Sequence, residues 1–206
     1  DEIGVLGSGS DLDLEFAAGS SVNVSTTGTG AIDLDGLGAL TLSDVDTVNG
    51  AITASSAGAL TVTDVASGTN GNIVLSTSSG DITGLATVNA GSGNVTLNSA
   101  GAIVDDGSSG TVITGGVLTA DAAGGITIDS TVTSANISTS AAGAVDLDET
   151  DAITLTDVDT NDGSITVDAG GLITATDVVA SGGSGDSVTL STTTGGAVAT
   201  LVAGAD

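Results

Sequence analysis

Lysine, arginine and histidine are absent from this 206-residue chain, and so are cysteine, methionine, proline, tryptophan and tyrosine. Much chemistry goes with them. Without a basic side chain nothing pairs with phosphates or acidic substrates, and general acid–base work is left to carboxyls. Without cysteine there is neither a disulfide framework nor a thiolate metal site. Nucleic-acid binding displaces counterions with Lys or Arg, so this composition argues against nucleic acid as a partner. No apolar run approaches the ~18 residues of a spanning helix, so membrane insertion is not expected. Phe16 is the one large ring, which removes aromatic platforms for sugars.

What remains is 26 Asp and Glu, a formal net charge of −26, 33 glycines and 39% hydrophobic residues, with a mean hydropathy of +0.44. High net charge without aromatics favours disorder when apolar content is low. Here the apolar content is high, and Val, Ile, Leu and Ala alternate with Thr, Ser and Asp. Alternation of that kind marks strands. A thin core of stacked aliphatics accommodates the composition better than a round one.

Two periods are nested in the chain. Gly30-Ala-Ile-Asp-Leu-Asp35 and Leu40-Thr-Leu-Ser-Asp-Val-Asp-Thr47 return 113 residues later as Gly143-Ala-Val-Asp-Leu-Asp148 and Ile153-Thr-Leu-Thr-Asp-Val-Asp-Thr160. The chain thus holds about 1.8 copies of a unit, divided as 1–113 and 114–206. Within the unit, the series Leu40, Leu60, Ile82, Ile103, Ile126, Ile153, Ile173 interleaves with Ile52, Ile73, Val95, Val117, Ile137, Ile165, Val188. A weaker third runs through Val45, Val65, Val88, Val112, Val132, Val158 and Val178. Three series with steps of 20 to 23 residues predict an all-β chain, a right-handed parallel β-helix forming a single solenoid segment. The alternative for a unit of this length is a string of tandem Ig-like β-sandwich domains. One 27 to 28-residue step, over Gly143–Asp151, reads as a loop or an extra strand projecting from one coil. Glycines ahead of the first series, Gly38, Gly58, Gly80, Gly101, Gly124, Gly170 and Gly195, read as turns with positive φ.

The sharpest polar feature is an Asp that recurs with the coil. Asp44 and Asp64 are 20 residues apart, as are Asp157 and Asp177, so each pair stacks in a β-helix. Unit charges about 4.8 Å apart repel by roughly 1 kcal/mol even in water, and a divalent cation reverses that sign. Asp46 lies two residues after Asp44, and Asp159, Asn161 and Asp162 follow Asp157 toward a turn at Gly163. Ca²⁺ takes six to eight oxygen ligands, so these eight residues are the candidate metal ligands and calcium the candidate cofactor. The stretch 157–163 has one residue too many before its glycine for an Asp-x-Asp-x-Asn/Asp-Gly loop. Gly182-Gly-Ser-Gly-Asp186 is similar to a glycine-rich calcium repeat with its Asp one place early. The competing reading is a solvated acidic face screened by salt. Thr61-Val-Thr63, Thr154-Leu-Thr156 and Thr174-Ala-Thr176 resemble the threonine arrays of ice-binding solenoids over short runs only. Asn23-Val-Ser25, Asn94-Val-Thr96 and Asn136-Ile-Ser138 match the N-glycosylation acceptor pattern. Paired carboxylates cleave glycosidic bonds in some β-helix enzymes, but those also use basic and aromatic side chains to hold sugars, so no catalytic residue is assigned and an enzyme is not expected.

Gly38-Ala-Leu-Thr-Leu-Ser-Asp-Val-Asp-Thr47, Gly58-Ala-Leu-Thr-Val-Thr-Asp-Val65 and Gly80-Asp-Ile-Thr83 resemble the filamentous-haemagglutinin type of repeat and, more broadly, the repeats of giant bacterial surface adhesins. The resemblance implies a secreted β-helix fibre, extracellular or on the cell surface, used for attachment or as matrix. A calcium- or carbohydrate-binding surface module is the second expectation. Host or matrix carbohydrate is then a partner, and self is another. No cap is evident at Asp1–Gly9 or Thr200–Asp206, so the rod is expected to continue as tandem repeats or to stack end to end.

Overall fold

The computed structural model describes residues 11–110 and 112–203; the expected bare ends at Asp1–Gly9 and at Gly204–Asp206 lie outside them. Among the described residues there are twenty strands and no helix. Every strand pairing is parallel, all belong to one continuous sheet, and the chain winds as a β-solenoid of about nine turns. At ~4.8 Å per turn the rod is roughly 43 Å long.

The alternation seen in the sequence is what closes each coil. In Ile52–Ser56 and Val95–Ser99 every second residue is buried, and each buried residue sits on its counterpart one turn away. One inward column of the first face runs Leu34, Ala54, Leu75, Leu97, Ala120, Ile137, Val158, Val178. On the second face the column is Leu40, Leu60, Ile82, Ile103, Ile126, Val145, Ile165, Val188. Fully burying a Leu or Ile contributes about 1.5–3 kcal/mol, and a continuous column of them replaces the single round core of a globular domain.

Corners are held by side-chain hydroxyls. Thr47 Oγ1 donates to Gly50 O (2.7 Å), Thr77 Oγ1 to Gly80 O (2.9 Å) and Ser99 Oγ to Ala102 O (2.9 Å). Thr160 and Ser67 do the same to Gly163 O and Gly71 O. A turn leaves carbonyls without ladder partners, and a Ser or Thr three or four residues earlier satisfies one of them at these five corners. Most corner glycines serve a different purpose from the one expected. Gly80 and Gly195 have positive φ, but Gly38, Gly58, Gly101, Gly124 and Gly170 do not. A Cβ at Gly58 would come within 2.6 Å of the Ala39 nitrogen in the neighbouring turn. Those glycines let one coil lie directly on the next.

The long step over Gly143–Asp151 is neither a loop nor a projection. Val145–Glu149 is a strand of the second face, in register with Ile126–Ser130 on one side and Ile165–Ala169 on the other. Its neighbour Ile153–Asp162 pairs with Ser134–Ala142 on the first face. The aliphatic series read from the sequence therefore exchange faces here: Val145, not Ile153, follows Ile126, and Leu118 and Ala135, not Val117 and Ile137, follow Val95. The exchange is absorbed by Ile126–Ala142, a continuous strand of 17 residues that spans both faces without a turn.

Candidate carboxylate columns

Two of the predicted acidic groups form, and they form alike. Along Leu40–Thr47, the register skips from Val22 opposite Leu42 to Asn23 opposite Asp44, leaving Ser43 as a bulge residue. Along Ile153–Asp162 it skips from Ala135 opposite Leu155 to Asn136 opposite Asp157, leaving Thr156. Ser43 Oγ meets Ser21 Oγ at 2.6 Å, and Thr156 Oγ1 donates to Ala135 O at 2.9 Å. The bulge places the two Asp residues that follow side by side at the outer surface. Asp44 lies close enough to Asp46, and Asp157 to Asp159, for each neighbour to disfavour ionisation of the second carboxyl.

One turn further on, Val65 stacks on Val45 and Val178 on Val158, so Asp64 follows Asp44 and Asp177 follows Asp157 as the spacing predicted. Asn23 Nδ2 donates to Asp44 Oδ2 at 3.3 Å from the turn before. Burial, then the Asp44 charge and hydrogen bond, then the Asp64 charge push the Asp46 carboxyl up to about 6, against the Ala66 backbone, which favours its ionised form. Burial and Asp44 raise Asp64. Burial, Asp157 and Asp177 raise Asp159, whose buried Oδ1 has no hydrogen-bond partner.

Asn161 and Asp162 do not join their predicted companions. Both are exposed beyond the strand's corner, where a second register shift sets Asp162 opposite Ala142. Asp186 is engaged by its own turn, accepting from the Gly183 N–H at 2.8 Å. The predicted ligands are thus divided among two faces and a corner, and among the described residues no set of three or more carboxylates converges to hold a metal ion.

A third column was missed. Asp129, Asp148 and Asp168 stack on three consecutive turns of the second face. Burial raises Asp129 and Asp148, and neighbouring carboxylates, Asp129 and Asp168 among those acting on Asp148, raise them further. They line an open groove of about 510 Å³ with Ser109, Gly110, Thr150 and Ser191–Thr193. Beside them Glu149 is buried in the corner, accepting from Ser130 Oγ (2.7 Å) and the Val132 N–H (3.0 Å) on Oε2 and from the Asp151 N–H (3.1 Å) on Oε1. Burial still pushes its carboxyl up against those three donors. The signal was in the sequence: Ile-Thr-Ile-Asp129, Val-Asp-Leu-Asp148 and Ile-Thr-Val-Asp168 share one pattern at coil spacing. Reading Gly143–Asp151 as a loop or an extra strand projecting from one coil hid it.

The arrangement defines a class, the parallel β-solenoid with acidic outer columns. No family model, curated protein or solved structure matches the chain.

Proposed function

We propose that this chain is a structural segment of an extracellular filament or adhesin stalk. The observation that carries the reading is the unbroken parallel ladder from Leu12–Phe16 to Ala197–Ala203, which lets length be extended coil by coil without redesigning a core. Among the described residues its interior columns are mainly aliphatic, with buried polar groups at the corners, and its outer columns are mostly carboxylates, hydroxyls and amides that keep a charged rod hydrated. Repeats similar to those of filamentous surface adhesins support the same role, with self, as further units or stacked copies, as the first partner.

The test is to image the purified chain by electron microscopy and to screen it, fluorescently labelled, against glycan and matrix-protein arrays. Straight rods without saturable binding fit a stalk. Saturable binding to one glycan would make the chain a recognition module instead.

A second reading, a calcium-dependent surface module, starts from the like charges that Asp129, Asp148 and Asp168 stack along one groove, although no three described carboxylates converge as ligands. Calorimetric titration with Ca²⁺, paired with melts with and without chelator, decides it: heat and a chelator-sensitive midpoint support the reading, and neither sinks it.

A further inference from the structure

The 113-residue unit and the coil do not share a common period. From Ile32 the first-face column rises through Ile52, Ile73, Val95, Leu118, Ala135 and Leu155. Val145, the residue 113 positions after Ile32, falls between the last two and on the second face. The unit is therefore five and a half turns. The short strand Ile32–Gly36 lies on the first face and its counterpart Val145–Glu149 on the second. The bulged strand Leu40–Thr47 makes the converse exchange with Ile153–Asp162. Both keep their local structure while changing sides, down to the bulge residue and the carboxyl pair after it.

We infer that this half-integer unit makes the rod two-sided: each surface element encoded once per unit is presented on alternate faces. In a run of units the phase returns only after two, eleven turns or roughly 53 Å along the axis. The inference deepens the filament reading but is tested on the single chain, so the two fail separately.

Cysteine is absent from the sequence, so introduced thiols are the only ones available for spin labels. Thr53→Cys with Asp157→Cys places two labels five turns apart on one outer column, passing through Val74, Thr96, Thr119 and Asn136. Thr53→Cys with Thr166→Cys places them one full unit apart, on different faces. Pulsed dipolar spectroscopy should find the first pair near 24 Å and the second beyond about 30 Å, because about 26 Å of rise combines at right angles with the ~10 Å between sheets and both labels point outward from them. Asp35→Cys with Asp148→Cys, a second pair one unit apart, should also be long and covers a misfolded first variant. Pairs one unit apart at or below about 29 Å, the rise of six turns on one column, would overturn the inference.

Discussion

At the scale of single residues, this protein uses carboxyl groups in two ways. Glu149 is a buried acceptor that satisfies one hydroxyl and two backbone N–H groups, so its removal leaves buried donors unmet. Glu149→Ala is expected to cost about 1–3 kcal/mol for the donors it orphans, and Glu149→Gln, which keeps the acceptor Oε1, less. Chemical denaturation of the two variants against the parent checks the order. Asp46 lacks such a set of donors and is raised by burial and by the like charges of Asp44 and Asp64. Its folded pKa, about 6, lies above the ordinary 3.8, so the folded state holds a proton that the unfolded chain has released. Stability must then rise as pH falls through 6 and level off below about 4, where both states are protonated. Asp46→Asn should raise the melting temperature at pH 7.5 and reduce its pH dependence between 4 and 7. A midpoint that drops in the variant at pH 7.5 would contradict the assignment.

Elements in this fold are stabilised by what lies above and below them. Leu75 is fully buried between Ala54 and Leu97. Leu75→Ala is expected to cost about 2–5 kcal/mol, because rigid ladders on both sides keep the coil from collapsing into the void. Gly58 gives the converse test, since an added methyl meets the backbone of Ala39. Gly58→Ala should destabilise by about 1–3 kcal/mol through forced separation of two coils, although alanine is ordinarily tolerated at its φ. Both effects are read from unfolding midpoints at constant slope.

Over the whole molecule the governing quantity is charge without an internal counter-charge. Among the described residues seven carboxyls, Asp33, Asp46, Asp64, Asp129, Asp148, Glu149 and Asp159, are raised by burial with help from like-charged neighbours, while Asp106 alone is lowered, by hydrogen bonds at Ser108. Raised acids all act in one direction, so the rod as a whole should melt higher at pH 5 than at pH 8. The rise should reach at least about 2–4 °C, the shift that 1 kcal/mol produces in a chain of this size. Raising salt from 0.01 to 0.15 M, which shortens the screening length from about 30 to 8 Å, should act the same way at pH 8 and less at pH 5. Differential scanning calorimetry over that grid checks both, and a salt-independent midpoint at pH 8 would contradict the charge argument.

Much of this was legible in the chain itself. The missing basic and aromatic residues restricted the chemistry, alternation marked the strands, and the recurrence of Leu40, Leu60, Ile82 and Ile103 set the coil, because side chains stacked one turn apart must be chemically alike. The pairs Asp44/Asp64 and Asp157/Asp177 followed from the same rule. Tertiary structure decided which face each strand occupies. Local sequence encodes a strand and its bulge, but not the number of turns separating it from its homologue. That number depends on a strand, Ile126–Ala142, that crosses from one face to the other without a turn. It moved Asp157, Asp159 and Asp177 to the face across from Asp44, Asp46 and Asp64, and it assembled Asp129, Asp148 and Asp168. The physical reason is that pairing energy comes from the neighbouring coil, which lies about twenty residues away and is set by the sum of every turn length between.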